Sequence, residues 1–200
     1  MKGNFKPMLL LLMVSLIGFY TTTRAQTTYT IKNSKANAMK LSGTSTLHDW
    51  DMNSGTFTGQ AKFGFTTPEG KELNALTSLS FCLAVQDLKS DKSALDKNAY
   101  VALKTNQYKS ILYKLVSATV MPEKDGQYLV KTIGHLTIAG VEREIDMDVY
   151  CATNKDESII CTGSKKLTMS DYRVKPPSFM LGVMKTGDNV TLDFTMVYLQ

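Results

Sequence analysis

Strict alternation of apolar and polar residues recurs in run after run of this chain, and it leaves few folds open. In SLSFCLAV, Leu79, Phe81, Leu83 and Val85 fall on one side, and Ser80, Cys82 and Ala84 on the other. In YLVKTIGHLTIAG, Val130, Leu136 and Ile138 oppose Lys131, His135 and Thr137. REIDMDVYC sets Ile145, Met147 and Val149 against Glu144, Asp146 and Asp148. Near the end, Val190, Leu192, Phe194 and Met196 alternate with Thr191, Asp193 and Thr195. Successive side chains of an extended strand point to opposite faces. Each run therefore reads as a strand with one apolar and one wet face.

One stretch breaks the pattern. In SDKSALDKNAYVALKTNQ, Ala94, Leu95, Ala99, Ala102 and Leu103 recur at helical spacing behind a Ser cap, which predicts a single amphipathic helix. Alternation resumes at Ile111, Tyr113 and Leu115, while Gly55, Gly70, Gly126, Gly140 and Gly163 fall in or beside the expected turns and bends. Many antiparallel strands and one helix point to a closed barrel or a sandwich. In a barrel the apolar faces either line a lumen suited to a hydrophobic ligand or interlock as a dry core, and alternation alone allows both.

The N-terminus asks to be set aside first. Lys2 and Lys6 precede the apolar stretch Met8 to Tyr20, which gives way to TTTRAQ, with small residues at Thr23 and Ala25. That order reads as a secretory signal peptide, residues 1–25, cleaved before Gln26, and the stretch is shorter than the roughly 20 residues of a membrane span. No cysteine follows the cut, so a lipid-anchored N-terminus is not expected. The segment carries Lys2, Lys6 and Arg24 and no acid, so its loss lowers the formal net charge from +5 to +2. Such a balance gives no case for nucleic acid. The remainder, 26–200, suits one domain. In an oxidising compartment Cys151 and Cys161, which flank the turn-like ATNKDES, can form a cross-strand disulfide, with Cys82 left as a free buried thiol.

The run GTSTLHDWD gathers a histidine, two carboxylates and the only tryptophan. Read as a strand, it sends Thr46, His48 and Trp50 to one face and Asp49 and Asp51 to the other, so the metal-ligating types do not converge. Ser45 and His48 likewise face apart, and the chain has neither a Gly-x-Ser-x-Gly elbow nor a HExxH pair. Hydrolytic chemistry is thus not expected; a His-based metal or redox accessory role, with His48 pairing across the barrel with His135, stays an alternative, as does a structural or interaction protein with a filled core. His48 and Trp50 pair an apolar body with a polar nitrogen, which suits the rim of a lipid cavity, although a Trp can equally close a barrel end by packing. The loop SDYRVKPPSFMLGVMKTGD, with Pro176, Pro177, Phe179, Met180, Leu181, Val183 and Met184, is apolar enough to be a lid or a plug of core.

Several stretches together, in order, resemble the YceI-like family of exported proteins. They are His48; Gly55 with Phe57; the Ser93 to Leu103 segment; Tyr108 to Ile111, where Lys109 replaces the usual proline; the hairpin Gly134 to Val141; and Gly187 to Val190. The resemblance implies an all-β, mainly antiparallel fold: a lipocalin-like closed barrel of roughly eight strands with one short α-helix. It also implies a non-enzymatic periplasmic or secreted protein whose lumen holds a polyisoprenoid, quinone-like or fatty-acyl lipid, with a role in lipid or quinone handling or in stress. No cofactor or metal is expected, and transient membrane contact is compatible with such a protein. On that implication the lumen and its mouth are formed by His48, Trp50, Phe81, Leu83, Val85, Tyr113, Leu136, Ile138, Met147, Val149, Phe179, Met180 and Phe194.

Overall fold

The alternating runs become the walls of a closed ring. The computed structural model describes residues 26–32, 34–66, 72–179 and 184–200; the proposed signal peptide and Met180 lie outside them. In chain order the elements are β1 (Gln26–Ile31), β2 (Ala38–Ser45), β3 (Trp50–Ser54), β4 (Thr58–Phe65), β5 (Leu73–Ala84), α1 (Ser93–Ala102), β6 (Ser110–Pro122), β7 (Gln127–Ile138), β8 (Val141–Thr153), β9 (Ile159–Thr168), β10 (Ser178–Phe179) and β11 (Met184–Leu199). Eight of the strands form the ring, in the order β1, β4, β5, β6, β7, β8, β9, β11, with β11 returning to β1. Every pairing is antiparallel.

Closure rests on β11. One edge pairs with β9 from Asn189 to Tyr198. The other pairs with β2 from Thr186 to Thr195, and then with β1 at Tyr198 and Leu199. At this change of partner the Val197 N–H would be left without an acceptor, and the buried Asn37 supplies one, its Oδ1 lying 2.9 Å away. The same side chain donates from Nδ2 to the Lys32 carbonyl at 2.8 Å. One amide thus satisfies two backbone groups where the ring is joined.

The expected strands form with the expected faces: Phe81, Leu83, Val130, Leu136, Val149, Phe194 and Met196 are buried, while Ser80, Lys131, Glu144, Asp146, Asp148 and Asp193 face water. Between β7 and β8 the tight turn is Ala139 and Gly140, both at positive φ (48° and 77°), as a two-residue hairpin that matches strand twist requires. One end of the barrel is solid. There Phe63 and Ile159 are fully buried, and Phe63 meets Tyr29 and Tyr198 edge to face, with centroids 5.4 and 5.6 Å apart.

Cys151 and Cys161 sit directly opposite each other across β8 and β9 and are joined by a disulfide, their Cα atoms 4.2 Å apart. Cys82 is free and half-buried rather than fully buried. Gly163, expected at a bend, lies instead within β9, where a Cβ would run into the ring of its cross-strand partner Phe194.

Two outcomes follow for stability. Asn37→Ala strips the Val197 N–H of its acceptor in a buried place and should lower unfolding free energy by about 1–3 kcal/mol in urea titrations. Reduction of the disulfide, which closes a loop of sequence separation 10, should lower it by about 2–3 kcal/mol, read as a fall in Tm under reducing conditions.

Candidate functional site: the barrel lumen and its mouth

Strand registers place the connecting elements at one end. Ala84 opposite Ser110, Ile138 opposite Val141, Asn189 opposite Thr168, and Gly43 opposite both Val190 and Trp50 bring four features to the same rim. These are α1, the Ala139–Gly140 turn, the β2–β3 turn, and the segment from Met169 to Pro177. Below them an apolar cavity of about 180 Å³ runs down to Phe63, Tyr198 and the Cys151–Cys161 disulfide.

Of the residues expected at the lumen, Trp50, Phe81, Leu83, Tyr113, Leu136, Ile138, Met147, Val149 and Phe194 line this cavity, and so does the disulfide pair. Val85 does not. It is buried, but the strand ends at Ala84, and Val85 opens a short 3-10 turn with its N–H on the Lys109 carbonyl. The alternation that holds up to Leu83 has lost its meaning there. Phe179 pairs with Met184 through β10; its side chain, like all of Met180, is outside the described residues.

His48 is a second correction. The run GTSTLHDWD is not one strand but the end of β2, a turn, and the start of β3. Ser45 builds the turn: its Oγ accepts from the N–H groups of Leu47 (3.3 Å) and His48 (3.2 Å) and donates to the His48 carbonyl at 2.6 Å. Thr46 clamps it to β11, its N–H donating to the Lys185 carbonyl and its Oγ1 accepting from the Lys185 N–H. His48 is exposed and donates from Nδ1 to the Asp49 carbonyl at 2.9 Å. Asp51 faces out, 3.7 Å from Lys40 Nζ, and His135 lies 3.7 Å from Glu142 on the surface. Among the described residues no three His, Cys, Asp or Glu side chains gather as a metal would need.

Trp50 alone of that run reaches the lumen. Its indole lies flat over Gly43, where a Cβ would collide with the six-membered ring, and Nε1 donates to the Thr44 carbonyl at 3.1 Å. A residue without a side chain is what lets the ring fold over the rim.

The roof was less legible. The underside of α1 contributes Leu95, Ala99, Ala102 and Leu103, and β2 and β3 add Met39, Leu41 and Met52. The expected Ser cap is not made: the helix starts at Ser93 behind Lys92, with no side-chain cap. Instead Asp96, in the first turns, accepts both the N–H and the hydroxyl of Ser90 at 2.7 Å. Burial works to raise this carboxyl's pKa, but the Ser90 hydrogen bonds and the nearby Lys89 charge outweigh it and hold it below the ordinary carboxylate range. Tyr100 ties the helix down by donating to the Leu88 carbonyl at 2.8 Å, next to the Asn53–Lys89 backbone bridge that holds β3.

The wall itself has a partial seam. β8 and β9 pair only from Val149 to Thr153, so towards the mouth, from Val141 to Asp148, β8 has no strand on that side. Across the opening Lys165 reaches Asp146 at 3.1 Å, and Arg143 Nε donates to the Asp171 carbonyl at 2.9 Å, laying the Met169–Tyr172 turn over the gap. Polar groups inside are few. The Tyr113 hydroxyl donates to Thr132 (3.3 Å), which donates to the Met147 carbonyl (3.2 Å), and burial pushes the Tyr113 pKa up.

A cavity of this lining, apolar over nearly all its wall, suits hydrocarbon. A model of the YceI-like domain matches residues 20–198. No curated protein matches. Solved structures of similar fold include BcnA of Burkholderia cenocepacia, with 16% identity, a TM-score of 0.65, and coverage of 84% of this chain and 98% of that one. A polyisoprenoid-binding domain from Saccharophagus degradans has 12% identity, a TM-score of 0.60, and coverage of 87% and 98%. A YceI protein of Campylobacter jejuni has 19% identity, a TM-score of 0.52, and coverage of 71% and 81%. At these identities the likeness is one of fold.

Gly43→Ala should push Trp50 off the rim, with a loss of about 1–3 kcal/mol from overpacking and a shift in the emission of this sole tryptophan.

Proposed function

The chain belongs to the YceI-like domain family, and from that premise we propose that it is an exported, non-enzymatic binding protein that takes the tail of an isoprenoid or another long apolar lipid into its lumen. The observation that carries the reading is the cavity, which is apolar from Trp50 and α1 at the mouth to Phe63 and Tyr198 at the floor. Burying hydrocarbon there releases roughly 25 cal/mol per Å² of apolar surface, with few polar groups to desolvate in return.

Size refines the proposal. An apolar cavity of about 150 Å³ holds a benzene-sized molecule, whereas sites for larger ligands span roughly 300–1,000 Å³. The observed 180 Å³ therefore accepts only part of a long tail as it stands. Met39, Met52, Met147, Met169 and Met196 line the wall, and their flexible thioethers are the side chains that can yield to admit more. The resemblance of the Saccharophagus degradans domain supports a polyisoprenoid as the class to try first. Export through the Met1–Ala25 leader, to the periplasm or beyond, is part of the same proposal, as is brief contact of the mouth with a membrane during loading.

A second reading, a barrel that acts through its outer surface, draws on the exposed Leu112, Val116, Ile133 and Tyr150 of β6, β7 and β8. One experiment separates the two. Protein exported from its full-length gene and purified without detergent should begin at Gln26 and yield, on organic extraction and mass spectrometry, a long-tailed lipid near one per chain. Ala99→Phe, which fills the roof of the cavity, should weaken uptake at least roughly tenfold. Repeated recovery of no lipid, with no uptake of an added isoprenoid, would favour the surface reading.

A further inference from the structure

Three tyrosines line the cavity, and two have partners: Tyr113 donates to Thr132, and Tyr198 donates to the Met196 sulfur at 3.6 Å. The third, Tyr172, has only 2% of its surface exposed, and its hydroxyl has no hydrogen-bond partner among the described residues. A buried hydroxyl left unmet is disfavoured enough that native structures seldom keep one without a use. Its place is informative. Tyr172 ends the 3-10 turn that covers the seam between β8 and β9, on the mouth side of the cavity and away from the Phe63 and Tyr198 floor.

We propose that Tyr172 is the head-group donor of this lumen: its hydroxyl hydrogen-bonds a neutral acceptor oxygen, a carbonyl above all, at the polar end of an apolar ligand whose tail runs towards the floor. This rests on the lumen being the lipid site. A neutral oxygen fits better than a carboxylate for two reasons. Lys165, a cation on the cavity wall, is already paired with Asp146, and beside Tyr172 the charge of Asp171 outweighs that of Arg143, whose Nε is engaged with the Asp171 carbonyl. Burial, with Asp171 adding to it against a smaller opposing effect of Arg143, pushes the Tyr172 pKa up to about 12, so the proton it would donate is retained at neutral pH.

The test compares farnesylacetone, an isoprenoid ketone, with the hydrocarbon of the same skeleton and with the corresponding carboxylate, binding being followed by Trp50 fluorescence in the full-length mature protein. Wild type should prefer the ketone over the hydrocarbon by roughly five- to tenfold, the span of one added hydrogen bond. The carboxylate should bind no better than the hydrocarbon. Tyr172→Phe should bring the ketone down to the hydrocarbon's affinity and leave the hydrocarbon unchanged. Because the hydroxyl has no partner to lose among the described residues, the variant should melt no lower than wild type. Equal affinity of wild type for ketone and hydrocarbon, a preference that survives Tyr172→Phe, or a carboxylate that binds best would each overturn the assignment while leaving the lumen a lipid site. Failure of all three probes to bind wild type would overturn the carrier reading, and this assignment with it.

Discussion

The ring exists because one strand serves two neighbours on the same edge. β11 runs for 16 residues, longer than either β2 or β1 can match, and passes from one to the other while β9 holds its far side. Apolar faces converge on an axis only when a sheet closes, and closure also removes the free edges that an open sheet would expose. At the handover a backbone N–H is orphaned, and Asn37 meets it from inside the protein. The lumen, its roof and its floor all presuppose that join.

The two meanings of an apolar strand face, packed core and ligand wall, divide here by height. At the lower end the aromatic group of Tyr29, Phe63 and Tyr198 leaves no room. At the upper end the small residues on the underside of α1, Ala99 and Ala102, and unbranched methionines leave a hollow. The chain is thus stabilised by one half of its interior and left receptive by the other. On the outer wall Lys131 and Asp148, and Lys40 and Asp51, pair in water and contribute little to stability.

Alternation read the walls well because period two is a backbone property that survives without knowledge of partners. It gave the inward residues of β5, β7, β8 and β11 correctly as far as the strands extend. It failed where the backbone left the strand, at Val85 and at His48, because nothing in the pattern marks a Ser45 side chain as the organiser of a turn. It also missed Lys165, whose charged head escapes the interior by reaching across the seam. The resemblance to a known family supplied what periodicity could not, the closure of the sheet. The roof residues were visible as a helical stripe, but which surface that stripe would cover depends on contacts between segments remote in the chain.

The partial seam alters what a barrel of this kind can be. In a cylinder laced by backbone hydrogen bonds around its whole circumference, strand number and stagger fix the bore. Here the upper half of one joint, between β8 and β9, is laced by side chains, Lys165 to Asp146 and Arg143 to the Asp171 carbonyl. Side-chain links at a wet surface stretch and re-form at low free energy, whereas a ladder of backbone bonds does not. Backbone pairing therefore fixes the girth of the upper barrel less tightly along this joint than where the β7–β8 ladder runs its full length, and the 180 Å³ cavity lies beside it.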